Sequence, residues 1–296
     1  MNILFGQGKL NIGSKAINLA SAGDTIKACL LTMGTATGKV ALISSSTNAS
    51  PIVVTTTGAH GYTTGDTIVV GGHTTNTAAN GTWQVGTTTS NTYQLLTRQD
   101  AVNSTGNGVG GATGWSVDIT TAATITDLGG NGGANGNGTD ISLTGQTLAA
   151  FGIFNASAWT WTGLSATKSW AVALYSSTTS NDLIAWIDGT QQIYVVTQAA
   201  STSTAIAVNR LSAAIANATT IVFSDGASAT LTAQANVGDT SLAVSSTAAT
   251  IHRQATADVV TFNTTLSSTS GLPLTPGAGG SLTFTPDTGV NKIFQL

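Results

Sequence analysis

Charge is what this sequence has least of. Only 7% of its 296 residues are Asp, Lys or Arg, where an ordinary globular domain carries about 25% charged residues. Glutamate is missing altogether, and all 12 acids are Asp. A Glu/Glu or Glu/Asp acid–base pair therefore cannot be built. Twelve Asp, mostly beside Gly or Thr, read as turn formers. A glycoside hydrolase would need two of them in an open cleft, one with a raised pKa. Histidine is nearly absent too: His60, His73 and His252 are the only three, and no two stand at metal-ligand spacing. His60 precedes Gly61 and reads as a structural turn residue. The single Cys29 excludes an internal disulfide. It sits in the apolar run Ile26–Leu31, which reads as a buried thiol rather than a nucleophile. No Gly-x-Ser-x-Gly elbow occurs. The chain is expected not to be an enzyme and to need no cofactor.

Basic runs are also lacking. Nine Lys and Arg are dispersed over a chain of net charge -3 and pI near 5.3, which argues against nucleic acid. No apolar stretch approaches the ~20 residues that span a bilayer, so no membrane partner is expected. The opening MNILFGQGKLNIGSK lacks the basic-then-apolar order of a signal peptide, and synthesis in a cytoplasm is the expectation.

What is present is β-forming. Thr, Val and Ile favour pleated, half-buried strands, and 35 Gly supply turns. Hydrophobic residues make up 41% and mean hydropathy is +0.22. Disordered chains combine low hydrophobicity with high net charge, so this one should fold. Four textures follow one another. Residues 1–38 hold the alternating Leu10 and Ile12, a turn at Ser21-Ala22-Gly23-Asp24, and a strand over 25–33. Residues 39–118 read as a self-contained small β unit. Its strands PIVVTTT (51–57) and DTIVVGG (66–72) are followed by TWQVG (82–86) and TYQLLT (92–97) around the turn 87–91. A Gly-rich loop at 104–114 leads into Trp115. Residues 119–198 carry the glycine-rich loop 128–140 and then strands with Trp159, Trp161, Trp170 and Trp186, which mark the main core. Alternation puts Trp159 and Trp161 on one strand face. Residues 199–256 contain no Trp and repeat themselves weakly: Thr204–Val208 recurs as Thr240–Val244, with a hairpin between them at Asp225-Gly226. The last stretch, 257–296, ends in a strand, an Asp-Thr-Gly turn and a final strand.

Several short motifs resemble a family of tailed-phage virion structural proteins, the capsid-decoration and tail-associated β-sandwich kind. They are Ile17-Asn18-Leu19, Asp24-Thr25-Ile26-Lys27, Thr144-Gly145-Gln146-Thr147-Leu148, Trp161-Thr162, the run Trp170–Tyr175 and the run Leu183–Gly189, in the order that family uses. The family's compact domain is interrupted here twice. The first insert is similar to small β modules of phage tail and fibre proteins, through His60-Gly61-Tyr62, Gly65-Asp66 and Asn80-Gly81-Thr82-Trp83. The second is similar to repeats of such proteins, through the run Gly238–Val244.

The resemblance implies an all-β fold: a discontinuous antiparallel β-sandwich base from 1–38, 119–198 and 257–296, with small β-barrel-like modules inserted at 39–118 and 199–256. It implies a virion location and a capsid decoration (cement) protein bound to the outer surface of the head. The partners would be the major capsid protein or neighbouring virion proteins, and the protein itself a homo-oligomer. The alternative is a tail, baseplate or fibre component meeting host-surface glycan. A polysaccharide depolymerase and a secreted adhesin are disfavoured. Three groups of residues are singled out. Ile3, Leu4 and Phe5, apolar near the chain start, are candidates for an assembly contact. Tyr62, Trp83 and Tyr93 are candidates for outward aromatics that stack on glycan. Asp127, Asn131 and Asp140 are weak Ca²⁺ candidates, because oxygen ligands, Asn135 and Asn137 among them, alternate with glycines there. The spacing does not match an EF-hand, so a flexible surface loop is the favoured reading of 127–140.

Overall fold

A computed structural model describes residues 2–14, 16–19, 23–98, 101, 103–112, 114–149, 153–188, 190–211, 215–223, 227–236, 239–253, 256–260, 272, 274–284 and 294–295. The turns expected at Ser21-Ala22, Asp225-Gly226 and the final Asp-Thr-Gly lie outside these residues. The protein is all-β, with antiparallel sheets and one closed barrel.

One compact unit comprises Met1–Lys39, Ile119–Thr190 and Asn263–Leu296. Its centre is a five-stranded sheet in the order Asn2–Leu4, Asp182–Ile187, Ala171–Ser176, Ile26–Leu31, Ile141–Ser142. The inner strands carry the apolar runs Ala28–Leu31, Ala171–Tyr175 and Leu183–Ile187 rather than alternating patterns, as strands covered on both faces do. On one face Ile26, Ala28, Leu30, Val172 and Leu174 share a cluster with Trp159, Trp161 and Phe284. The two Trp do point to one side of the strand Trp159–Leu164. Trp159 stacks on Phe284 at 4.3 Å and meets Trp161 edge-on at 6.1 Å. Against the other face lies the glycine-rich loop. At Gly130 a Cβ would stand 2.8 Å from Cys29 Sγ, so only glycine lets the loop come this close.

The alternating Leu10 and Ile12 belong to a helix, Gly6–Gly13, despite its three glycines. Glycine weakens a helix interior by about 1 kcal/mol each. Here tertiary contact overrides that propensity: a Cβ at Gly8 would fall 2.7 Å from the Leu183 carbonyl oxygen. The Asn11 amide donates to Asp182 at 2.8 Å and ties the helix to the same strand.

The second unit comprises Val40–Asp118 and Gln191–Phe262. Residues 40–118 form the closed barrel, in the order Val40–Ser46, Val53–Thr56, Thr92–Leu96, Gly81–Thr88, Thr67–Gly71, Trp115–Asp118. The last strand closes it, pairing with both Val40–Ser46 and Thr67–Gly71. Residues 191–262 have a core of their own, in which Ile193 and Val195 join Ile206, Val208, Leu242 and Val244. The run 182–196, which reads as one stretch of strand, is divided into Asp182–Ile187 and Thr190–Tyr194. The two repeated pentapeptides meet: Ala205–Ala207 pairs antiparallel with Ser241–Ala243, Ile206 opposite Leu242.

Candidate functional site

The loop 127–140 gathers the most polar chemistry in the first unit. It starts from the short 3₁₀ turn Ile125–Leu128, closed by a capping box between Thr124 and Asp127. Asp127 Oδ2 accepts the backbone N–H groups of Ala123 and Thr124, both at 2.9 Å, and its carbonyl accepts the Thr37 hydroxyl. Asn131 and Asp140 converge elsewhere. The Tyr175 hydroxyl donates to Asp140 Oδ2 at 2.8 Å and lies 3.3 Å from Asn131 Oδ1. Of the three candidate cation ligands, two therefore share one tyrosine, while the third is engaged by its own cap. Among the described residues no group of three or more His, Cys, Asp or Glu is placed to hold a metal.

Burial, and then the Asp140 carboxylate, push the Tyr175 hydroxyl up in pKa. The Cys29 thiol is pushed up as well, by burial first and the Asp140 charge second. Both keep their protons at neutral pH. Cys29 is thus a buried, inert thiol, because the thiolate is the nucleophile.

Asn135 and Asn137, whose amide oxygens the sequence offers to a cation, instead hold the loop in place. Asn135 is fully buried; its Oδ1 accepts from the Thr35 N–H at 2.8 Å, and its Nδ2 donates to the carbonyls of Thr35 and Leu128. Asn137 donates to Ser169 Oγ at 3.0 Å and accepts from the backbone and hydroxyl of Ser165. The loop read from the glycines keeps residues 131–134 at the surface, and it packs onto the central sheet at Gly130, Asn135 and Asn137. The glycines serve close approach, and the asparagines satisfy backbone groups that the loop would otherwise bury unpaired. No sequence period marks such residues.

The aromatic candidates face inward. Tyr62 and Trp83 are each 4% exposed and Tyr93 is 0% exposed, so none offers a ring to a glycan. A six-stranded barrel needs large side chains to fill its interior; the strands Gly81–Thr88 and Thr92–Leu96 send Trp83 and Tyr93 there, and Tyr62 enters from a loop. Trp83 Nε1 donates to the Ala79 carbonyl at 2.9 Å. The Tyr62 hydroxyl donates to the Ser116 carbonyl at 3.1 Å. His60 packs between the tyrosines, with ring centroids 4.7 Å from Tyr62 and 5.1 Å from Tyr93. Its Nδ1 accepts the Tyr62 N–H at 2.9 Å, which fixes the neutral ring with its proton on Nε2, toward the Thr92 carbonyl. Burial lowers the pKa of His60 and of His73.

The apolar start of the chain is seated on its own unit. Ile3 and Leu4 lie on the edge strand Asn2–Leu4, opposite Trp186 and Ala185. Leu4 packs on the main core, Phe5 is 0% exposed, and the Phe5 N–H donates to the Ile184 carbonyl at 3.0 Å. The candidates for an assembly contact thus form or adjoin an intramolecular edge strand, because Asp182–Ile187 offers it an open row of backbone partners.

No protein-family model matches the chain, and a search of curated proteins finds no match. The likeness to phage virion proteins rests on the short motifs themselves.

Proposed function

We propose that this chain is a structural, non-catalytic part of a phage virion, and within it a capsid decoration protein bound to the outer face of the head. The observation that carries the non-catalytic half of this reading is where the carboxylates go. Asp24 accepts from the Asn18 N–H, Asp66 from Thr63, Asp127 from its capping box, Asp140 from Tyr175, Asp182 from Asn11 and Asp239 from Asn236. Each locks a loop or a helix of its own chain, so these six acids act as internal fasteners, in a chain otherwise rich in short Thr and Ser. Such side chains lose little rotamer freedom on docking, which favours attachment to a lattice. The head assignment rests on those short side chains, since the motifs of the first unit resemble decoration and tail-associated proteins alike. The partner would be the major capsid protein, met by a symmetric oligomer that gains avidity from several contacts at once. The rival tail or fibre reading drew on glycan stacking by Tyr62, Trp83 and Tyr93, and their burial removes that support.

Counting copies in purified particles tests the proposal. Copies on the scale of the capsid lattice, and rebinding of the purified protein to undecorated heads, are expected. A handful of copies per particle moves it to the tail, and absence from particles sinks the virion reading.

A further inference from the structure

An offset of 36 residues, from Thr204 to Thr240, relates far more than two pentapeptides. Gln198 and Ala199 recur as Gln234 and Ala235, Ala213 as Ala249, and Ile215 as Ile251. The bridges follow the same offset. Val195 pairs with Val208, and Leu231 with Val244. Ala199 pairs with Ile251, and Ile215 with Ala235. The second couple is the first with the copies exchanged, which is the signature of a twofold axis: i meets j, and j meets i. Hydrogen bonds repeat in step. Val208 N–H donates to the Thr240 carbonyl and Val244 N–H to that of Thr204, both at 3.0 Å. Val196 N–H donates to Ala207 at 2.9 Å, and Thr232 N–H to Ala243 at 3.0 Å. The axis passes between Ile206 and Leu242, which face each other.

The outer strands obey the same relation. The hairpin Thr220–Val222 with Ser228–Thr230 is mirrored by the pair Thr190–Tyr194 with Thr256–Val260, through which the chain arrives and leaves. A connected hairpin and an open pair of chain ends thus occupy equivalent places.

The copies differ in sequence at most positions, and one of these differences is compensated across the axis. In the second copy the turn at 236–239 is closed by its own Asp239, whose carboxylate accepts the Asn236 N–H at 2.7 Å. The equivalent turn at 200–203 has Ser203 in place of that Asp. It is closed from the other copy instead: the Thr247 hydroxyl donates to the Ala200 carbonyl at 2.8 Å and accepts the Ser203 N–H at 3.1 Å. The first-copy equivalent of Thr247 is Leu211, which needs to close nothing.

We propose that residues 191–260 are two copies of one self-complementary unit fused in tandem, and that a single unit is sufficient to clasp two chains together, its partner surface being a second copy of itself. Deleting residues 191–226 from the full chain removes one repeat length and keeps the copy whose turn closes itself. Thr190 then runs straight into Ala227, its neighbour under the offset. The variant is expected to retain a folded barrel by near-ultraviolet circular dichroism and to double the number of chains per particle by light scattering. A folded variant with the wild-type number of chains overturns the proposal. Should the deletion fail to fold, a second full-length variant decides: residues 195–215 are replaced by the sequence of 231–251. Wild-type mass and a melting temperature within a few degrees of wild type support interchangeable copies, and loss of the fold rejects them.

Discussion

The Tyr175 hydroxyl donates to the Asp140 carboxylate at 2.8 Å, and this bond joins a middle strand of the central sheet to the end of the glycine-rich loop. The acceptor is charged but partly solvated, so removing the donor is expected to cost about 1–2 kcal/mol. Tyr175→Phe should lower the urea midpoint accordingly, while Asp140→Asn, which keeps an acceptor oxygen, should lose less. Added Ca²⁺ should leave the wild-type melting temperature unchanged, since a ligand that binds only the folded state raises it. A rise of several degrees would convert Asn131 and Asp140 into a cation site.

Asn135 makes three hydrogen bonds from a fully buried position. Asn135→Ala removes two part-buried bonds to Thr35 and strands the buried Leu128 carbonyl, which costs about 1–3 kcal/mol when left unpaired in the interior. Chemical denaturation should show a loss of at least ~2 kcal/mol, larger than for Tyr175→Phe. Equal stability of Asn135→Ala and wild type would falsify the description of a loop packed onto the sheet at Asn135.

The barrel should weaken in acid. His60 and His73 both have pKa values lowered by burial, so the unfolded chain binds protons more readily than the folded one. Their contribution is fully present above the unfolded value of about 6.5 and is lost as pH falls toward the lower folded values. Protonating His60 also destroys the acceptor of the Tyr62 N–H. Thermal melts followed by near-ultraviolet dichroism at pH 7.5, 6 and 5 should show a falling midpoint. His60→Asn combined with His73→Leu should flatten that profile. A wild-type midpoint that does not move across this range contradicts the prediction.

Phe5 is buried in its own unit, so its loss should act on folding before it acts on assembly. Phe5→Ala is expected to cost about 3–5 kcal/mol, the range for a large aromatic side chain removed from a core. Equilibrium unfolding measures this directly. A variant as stable as wild type would return the first five residues to the role of an assembly strap.

The strands were legible wherever burial leaves a pattern. DTIVVGG and TYQLLT became barrel strands, and Trp159 and Trp161 share a face in the main core. The helix Gly6–Gly13 was not legible, because contact with Asp182–Ile187 forms it against its own glycines. Nor was the direction of Tyr62, which lies outside any strand and fills the barrel from a loop. The repeat showed itself only at Thr204–Val208, where identity is dense. Elsewhere the copies agree in hydrogen bonding rather than in residue type, as Leu211 and Thr247 do. Asn135 and Asn137 read as oxygens open to a cation, because composition does not say which side of a loop is wet.

Val40 and Val117, close to the two ends of the barrel, are direct cross-strand partners. Opposed residues in an antiparallel pair sit about 4.5–5.5 Å apart. Once the barrel has formed, the long excursion between Lys39 and Ile119 is shortened to the reach of a tight turn. Loop-closure entropy then penalises the joining of the flanking segments no more than it penalises a hairpin. The strand Ile26–Leu31 finds Ala171–Ser176 across a sequence separation that is large on paper and much smaller in effect. A barrel that forms first would therefore speed the rest of the chain, whose contact order would otherwise predict slow folding.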